Sequence, residues 1–302
     1  MNKVTRLKYY IESLCIYDFE DDDVFSALYD LLCDDEEDTV ALQSYFFKEL
    51  AKSESLKRHI SRLILTNDNI FTKAACAGKV NELSIAVINA VKSDLAKLEE
   101  IASLTAQDIL ADIDDEDIKE ILLTLPGWDV GKPLAPLDSH WDRQLDELIK
   151  YHKENGYGIY AKNIAFTWRD EEITPVNSID PIRLTDLKNY ELQRNKVIDN
   201  TESFIAGHPA NNVLLYGDRG TGKSSTVHAI LNEYWQKGLR MIEIPKSAVA
   251  DLSLIREQIA DSPMKFIIYI DDLSFDSNDT SFSELKAALE GSLSGKQPNT
   301  II

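Results

Sequence analysis

The stretch that decides the fold of the second half of this chain is Val213-Leu214-Leu215-Tyr216-Gly217-Asp218-Arg219-Gly220-Thr221-Gly222-Lys223-Ser224. It opens with an apolar run, continues as a glycine-rich turn from Gly217 to Ser224, and leads into helical spacing. Strand, turn and helix in this order are the context of a P-loop, whose eight-residue pattern has Gly first and sixth and Lys-Ser last. The pattern is matched in full, so we predict a P-loop here.

The residue types of this loop suit the binding of a nucleoside triphosphate. Glycines let successive backbone N–H groups turn inward toward phosphate oxygens, and the following helix adds its positive N-terminal dipole. Lys223 would reach the β and γ phosphates, and the Ser224 hydroxyl would bind Mg²⁺, a hard cation that accepts oxygen ligands. The alternative, a turn that merely caps a helix, does not explain a lysine whose charge the helix dipole repels.

A second element is the apolar run Phe266–Ile270, which ends in Asp271 and Asp272. The carboxyl ends of neighbouring parallel strands share one edge of a sheet, so Asp271 can lie close to Ser224. We expect Asp271 to hold the metal, directly or through water, and Asp272 to orient or deprotonate the attacking water as the catalytic partner of Lys223. Taken alone, paired acids at a strand end are equally typical of a solvated turn.

The sequence favours ATP over GTP as the nucleotide. Asn195-Lys196-Val197-Ile198-Asp199 superficially resembles a guanine-reading motif, but its spacing is one residue too long and it precedes the P-loop. A GTPase switch would also need Gly three residues after Asp271, where this chain has Ser274. The expected cofactors are therefore ATP and Mg²⁺.

Residues 181–302 read as an alternation of helices and short apolar runs, which indicates an α/β domain with a parallel sheet and helices on both faces. The predicted helices are Asp186–Ala206, Ser224–Gln236, Ala248–Ile259 and Phe282–Leu293, and the predicted strands are Val213–Tyr216, Met241–Ile244 and Phe266–Ile270.

The first part of the chain has a different pattern. From Leu7 to about Leu125 apolar residues recur at three and four positions and Gly78 is the only glycine, which predicts an all-α domain over residues 1–125. Glycine and proline then cluster from Pro126 onward, so residues 126–180 are expected to be a linker and extended segment, with one helix from Ser139 to His152.

The charge is strongly acidic and uneven. The net charge is −20; residues 1–150 hold 31 acidic and 16 basic side chains, and residues 151–302 hold 21 and 16. Such a balance excludes an extended nucleic-acid surface and favours a protein partner for the acidic helical half, with self-association also open. The acidic runs 20–23, 34–38 and 114–117 lack calcium-loop spacing and are interpreted as turns or helix N-termini.

The remaining composition points to a cytoplasmic protein. Cys15, Cys33 and Cys76 are odd in number, have no CxxC spacing and lie among apolar residues, which suits buried free thiols in a reducing compartment. No apolar run approaches the roughly 18 residues of a membrane span, so no membrane contact is expected.

With these elements in place, the segment resembles AAA+ ATPases and, more closely, a family of uncharacterised bacterial ATP-binding proteins of the AAA+ class. The resemblance rests on the runs 211–225, 242–246 and 271–275, extends back to about Gly156, and has Asp271-Asp272 where many AAA+ proteins carry Asp-Glu. It implies an AAA+ type P-loop ATPase whose nucleotide-binding residues are Gly217, Asp218, Arg219, Gly220, Thr221, Gly222, Lys223, Ser224 and Ser225.

AAA+ proteins of this kind continue through a sensor strand, a strand with an Arg finger and a helical lid, whereas this sequence stops at Ile302, where the sensor strand would begin. The resemblance therefore implies a domain that is incomplete at its C-terminus and that binds ATP better than it hydrolyses it. Three functions stay open: an ATPase acting on a protein partner, a nucleotide-dependent scaffold without turnover, and a P-loop kinase of a small molecule. The first is favoured. The kinase is disfavoured because kinases of that type need an Arg-bearing lid and an acceptor pocket, and neither is visible in this sequence.

Overall fold

The computed structural model describes residues 1–34, 38–52, 55–260, 262–273, 285–286 and 298–302. The chain divides into two compact units, Met1–His152 and Lys153–Ile302. Residues 126–180, expected to be a linker, contribute to both units. Trp141 is fully buried in the core of the first, and a two-stranded hairpin over residues 165–175 belongs to the sheet of the second. Residues 126–180 are folded into the two units because the apolar residues between their glycines and prolines are buried in the cores.

The described part of the first unit is built from helices. They are α1 (Lys3–Glu12), α2 (Asp23–Cys33), α3 (Thr39–Leu50), α4 (Leu56–Leu65), α5 (Ile70–Ala77), α6 (Ile85–Ile101), α7 (Ala106–Leu110), α8 (Glu116–Leu122) and α9 (Leu145–Asn155), with 3₁₀ turns at Val80–Glu82 and Trp141–Arg143. Their apolar stripes meet in one core, where Leu28, Phe46 and Leu95 have no exposed surface. Burial of these apolar stripes stabilises the helices, most of which are too short to be stable alone in water.

Two of the acidic runs begin helices, as the sequence suggested. Asp22 accepts a hydrogen bond from the Phe25 N–H at the start of α2, and Asp115 accepts from the N–H groups of residues 117 and 118 at the start of α8. Burial raises the pKa of Asp22, but hydrogen bonds from His59 and Phe25 outweigh it and lower the pKa below its usual range. The run 34–38 lies partly outside the described residues.

The second unit contains a five-stranded sheet and the helices around it. Its elements are α10 (Gly158–Lys162), β1 (Ala165–Arg169), β2 (Glu172–Pro175), α11 (Glu191–Ile205), α12 (Lys223–Tyr234), β3 (Leu239–Ile244), α13 (Leu252–Gln258), β4 (Lys265–Ile270) and β5 (Thr300–Ile301). The strand order is β2-β1-β3-β4-β5, and every neighbouring pair is parallel except the β1–β2 hairpin. The predicted α/β sheet is confirmed as mostly parallel, and the antiparallel pair β1–β2 departs from the fully parallel sheet that the sequence predicted.

The two faces of the sheet carry separate cores because side chains alternate along each strand. Ile242 and Ile268 lie in the core that includes α13, and Met241, Ile267 and Tyr269 lie in the core that includes α11 and α12. Helices therefore cover both faces, as parallel strands require.

The predicted strand Val213–Tyr216 is wrong as a regular strand. The Val213 N–H donates to the Ile302 carbonyl at 2.8 Å, but the neighbouring strand β5 covers only two residues. Within the described ranges no ladder continues beyond Val213, so Leu214 and Tyr216 are 72% and 88% exposed. An apolar run becomes a strand only where a neighbour pairs with its N–H and C=O groups.

Other boundaries differ in smaller ways. The helix expected from Asp186 begins at Glu191, and the one expected over Ala248–Ile259 is a 3₁₀ turn, Lys246–Asp251, followed by α13. The helix predicted over Phe282–Leu293 lies outside the described residues, apart from 285 and 286.

Among the described residues, no helix has both the length and the apolar character needed to cross a bilayer. The three cysteines are free thiols, but they differ in burial: Cys76 is buried, Cys33 is half-buried and Cys15 is exposed. Burial raises the pKa of Cys76 to about 12. The expectation of uniformly buried thiols is wrong for Cys15, because it lies in the loop after α1 instead of on an apolar stripe.

Candidate functional site

The glycine-rich loop lies between the Val213–Tyr216 segment and α12. Gly217, Gly220 and Gly222 have φ values of 144°, 78° and 80°. A Cβ at Gly220 or Gly222 would meet no atom within 4 Å, so it is the left-handed backbone and not crowding that calls for glycine at these positions. The loop is therefore shaped by its glycines and open to solvent on those sides.

Lys223 is the first residue of α12 and folds back over the loop. Its ammonium donates to the carbonyl oxygens of Gly217 at 3.1 Å and Asp218 at 2.9 Å. The Thr221 hydroxyl also donates to the Asp218 carbonyl, at 2.9 Å. These contacts hold the loop in a closed shape and place a positive charge over it. Phosphate oxygens would offer the ammonium the same kind of acceptor as these carbonyl oxygens.

The start of α12 offers unused donors. In the part of the chain that the structure describes, the backbone N–H groups of Gly222, Lys223 and Ser224 donate no hydrogen bond to another protein atom. The first N–H groups of any helix lack an intrahelical partner, and together with the helix dipole they favour a bound anion. This end of the helix therefore has three N–H groups available to an acceptor such as an oxyanion.

The structure brings together Ser224 and Asp271, which the sequence placed on two separate elements. The Ser224 hydroxyl lies 3.2 Å from Oδ2 and 3.4 Å from Oδ1 of Asp271, which directly follows β4. The two groups supply hydroxyl and carboxylate oxygens, the donors that Mg²⁺ prefers. No group of three or more His, Cys, Asp and Glu that could hold a metal occurs among the described residues, so Mg²⁺ here would need further oxygens from water or phosphate.

Asp272 has an unusual backbone. Its φ is 48°, in the left-handed region that residues other than glycine seldom adopt, and its N–H donates to Oδ1 of Asp271 at 2.9 Å. The sharp turn thus helps fix the Asp271 carboxylate while leaving the Asp272 side chain exposed at the end of the sheet. Strained residues of this kind concentrate at functional sites.

The other predicted binding residues lie in the loop or at the start of α12 and differ in exposure. Asp218 and Arg219 are exposed at the tip of the turn, and Ser225 is half-buried in the first turn of α12. The segment Asn195–Asp199, weighed as a guanine-reading motif, lies inside α11.

Sequence reasoning missed Tyr269. Its ring meets the His228 ring of α12 edge-on, with centroids 5.9 Å apart, two residues before Asp271 on the chain. Burial and then the Asp271 carboxylate raise the pKa of Tyr269 well above its usual range, and the nearby Ser224 hydroxyl opposes them. The signal was available in the strand period of two, since the residue two positions before Asp271 lies on the same face of the sheet.

Fold and site together define a class: an α/β unit with a mostly parallel sheet, in which a glycine-rich loop and helix start lie beside the acidic end of a central strand. Residues 161–302, 142 of the 302 in the chain, match the model of a family described as "Protein of unknown function (DUF815)". The match covers most of this unit. Comparisons with curated proteins and with solved structures gave no match.

Proposed function

We propose that residues 181–302 form an AAA+ type P-loop domain that binds ATP with Mg²⁺ and hydrolyses it, coupling this cycle to a protein partner. The observation that carries the proposal is the 3.2 Å approach of the Ser224 hydroxyl to Asp271. It joins the two halves of a metal–phosphate site, one at the start of α12 and the other at the end of β4. A glycine-rich turn that only capped a helix would not need a carboxylate beside its serine.

Each residue has a defined part in this proposal. The amide N–H groups of Gly222 to Ser224 bind phosphate oxygens, and Lys223 exchanges two carbonyl acceptors for phosphate ones, so its charge is already in place. Ser224 and Asp271 hold Mg²⁺, which neutralises charge on the phosphates when bound. Asp272 orients the attacking water or accepts its proton.

The preference for ATP over GTP is supported by two sequence features of GTPases that this chain does not match. Asn195–Asp199 is helical over its whole length, and Ser274 stands where a GTPase switch needs glycine.

A protein partner is supported by the charge of the first unit. Residues 1–150 carry 31 acidic and 16 basic side chains, so a partner with a basic surface is favoured electrostatically.

The proposal is tested by calorimetry with ATP and with GTP, each in Mg²⁺ and in EDTA, and by release of free phosphate without an added acceptor. We expect ATP to bind more tightly in Mg²⁺, GTP to bind at least about tenfold more weakly, and phosphate to be released. Absence of ATP binding in both media would refute the proposal. Binding without phosphate release would support the scaffold or the kinase. A second assay with small-molecule acceptors added then separates them, because only the kinase transfers phosphate to an acceptor.

A further inference from the structure

The segment that leads into the glycine-rich loop is anchored at its start by side-chain amides. Asn200, five residues before the end of α11, bonds to both backbone groups of Asn211: its Nδ2 donates to the carbonyl oxygen and its Oδ1 accepts the N–H, each at 2.9 Å. Asn212 Oδ1 accepts the Ile302 N–H at 3.0 Å, and the Val213 N–H donates to the Ile302 carbonyl oxygen. The start of this segment is therefore tied both to α11 and to the residue after β5. The two Asn200 bonds form a clamp on Asn211.

The residues between this anchor and the loop have no similar support. In the part of the chain that the structure describes, Leu214, Leu215 and Tyr216 neither donate nor accept a backbone hydrogen bond. Leu214 and Tyr216 are also largely exposed, so packing fixes them only weakly. Gly217 follows Asn211 by six residues, at most about 22 Å of extended chain. A displacement of Asn211 is therefore passed along an unsupported arm to the first residue of the loop.

The far end of the loop is held separately. It runs directly into α12, and the Lys223 ammonium donates to the carbonyl oxygens of Gly217 and Asp218. Under the proposed function the ammonium exchanges these carbonyls for phosphate oxygens, so the bound state loses both contacts. The Asn200 clamp involves neither Lys223 nor the loop, and binding of a nucleotide leaves it unchanged. The clamp then has a greater share in holding Gly217 where the loop amides point at the phosphates.

We propose that Asn200 is a positioning residue, whose side-chain amide fixes Asn211 and so keeps the entry to the phosphate-binding loop in its binding-competent position. The inference rests on the proposed function, since it names a residue outside the site that prepares the phosphate half of it. Without the clamp the loop samples positions that cannot bind, and the apparent affinity falls in proportion to the fraction of molecules that remain competent.

The test is Asn200→Ala, which removes both bonds of the clamp. The matched control is Asn232→Ala on α12. The Asn232 amide also makes two bonds to backbone, donating to the carbonyl oxygens of Asp180 and Ile182 at 2.7 and 2.9 Å, but those residues do not lead into the loop. Calorimetry with ATP and Mg²⁺ measures affinity. We expect Asn200→Ala to bind about tenfold more weakly than the wild type, and Asn232→Ala to bind like the wild type.

A second measurement reports on the loop without any nucleotide. Trypsin cleavage after Arg219 is sensitive to the loop, because this residue is exposed at the tip of the turn. Cleavage after Arg240, which is buried on β3, requires opening of the sheet and so detects a general folding defect. Asn200→Ala should speed cleavage after Arg219 by about threefold or more and leave cleavage after Arg240 slow. Asn232→Ala should change neither.

A conservative variant completes the test. Asn200→Asp keeps an acceptor for the Asn211 N–H and loses only the donor, so it should lie between the wild type and Asn200→Ala in both measurements. Wild-type affinity for Asn200→Ala, an equal loss of affinity in Asn232→Ala, or cleavage after Arg240 that rises as much as cleavage after Arg219 would overturn the inference. A wild-type protein that binds no ATP overturns the proposed function instead. The cleavage pattern then still decides whether Asn200 positions the loop, so the two failures are distinguishable.

Discussion

Asp94 in the helical unit and Asp271 in the α/β unit show two opposite uses of a carboxylate. Asp94 has no exposed surface, and its Oδ2 accepts the N–H groups of Cys15, Ile16 and Tyr17 at 2.9, 2.7 and 3.3 Å. Asp271 is exposed, and its carboxylate accepts hydrogen bonds from the N–H of the next residue and from the Ser224 hydroxyl.

The comparison teaches how burial separates structural from functional acids. Taking a carboxylate out of water is costly, so Asp94 is tolerated only because three backbone donors and the Lys97 ammonium, at 3.6 Å, compensate it. Burial and the Asp94 charge also raise the pKa of Tyr17 far above its usual range. Asp271 is exposed to water, so its charge needs no such compensation, and its oxygens can still accept contacts from a ligand. The predictions below test this distinction, in order of decreasing effect.

Removing the buried acid should cost the most stability. Asp94→Ala leaves three loop N–H groups without their acceptor, so we expect the free energy of unfolding of the helical unit to fall by about 3–5 kcal/mol. Denaturant unfolding followed by circular dichroism measures this. Asp94→Asn is the control, because its amide oxygen can replace Oδ2, and it should lose only about 1–2 kcal/mol. A loss below about 1 kcal/mol in both variants would show that the acid is not structural.

The loop lysine should show the reverse behaviour. Lys223→Ala removes a charge-assisted contact to phosphate, so ATP affinity should weaken by about 2–4 kcal/mol while stability stays within about 0.5 kcal/mol of the wild type. Calorimetry and thermal unfolding measure the two quantities. The control is Lys196→Ala on the exposed side of α11, which should change neither. Unchanged ATP affinity for Lys223→Ala would exclude the loop as the nucleotide site.

The strand-end acid next to Asp271 should act on rate alone. Asp272→Asn preserves shape and removes the proton affinity of the carboxylate, so hydrolysis should slow by about 10² or more with ATP and Mg²⁺ still bound. Phosphate release under saturating ATP measures it. A variant that turns over at the wild-type rate would make Asp272 a bystander.

The smallest effect compares two strained turns. Glu171 closes the β1–β2 hairpin with φ of 62°, and Asp272 follows β4 with φ of 48°. Glycine relieves a left-handed backbone, so Glu171→Gly and Asp272→Gly should each stabilise the α/β unit by up to about 1 kcal/mol. Only Asp272→Gly should impair hydrolysis. A lower melting temperature for Glu171→Gly would show that the left-handed backbone at the hairpin costs no stability. Full turnover for Asp272→Gly would show that residue 272 has no part in hydrolysis.

The sequence predicted elements well where a regular period ran over many residues, and less well where tertiary pairing intervened. Met241–Ile244 and Phe266–Ile270 are strands because apolar runs of this length are buried between two layers of helices. Val213–Tyr216 has the same composition but pairs through Val213 alone. The hairpin over residues 165–175 was anticipated only as an extended segment, because its two-residue turn, Asp170-Glu171, lacks the usual glycine.

By itself the sequence determined the loop, its lysine and serine, and the acidic end of a strand, because these depend on local residue order and on the rule that parallel strands end together. Only the tertiary structure decided what surrounds them. It placed Ser224 3.2 Å from Asp271, and it buried Asp94 against a loop whose Tyr17 is 77 residues earlier in the chain. Such contacts depend on how separate elements pack, and no spacing along the chain records that geometry.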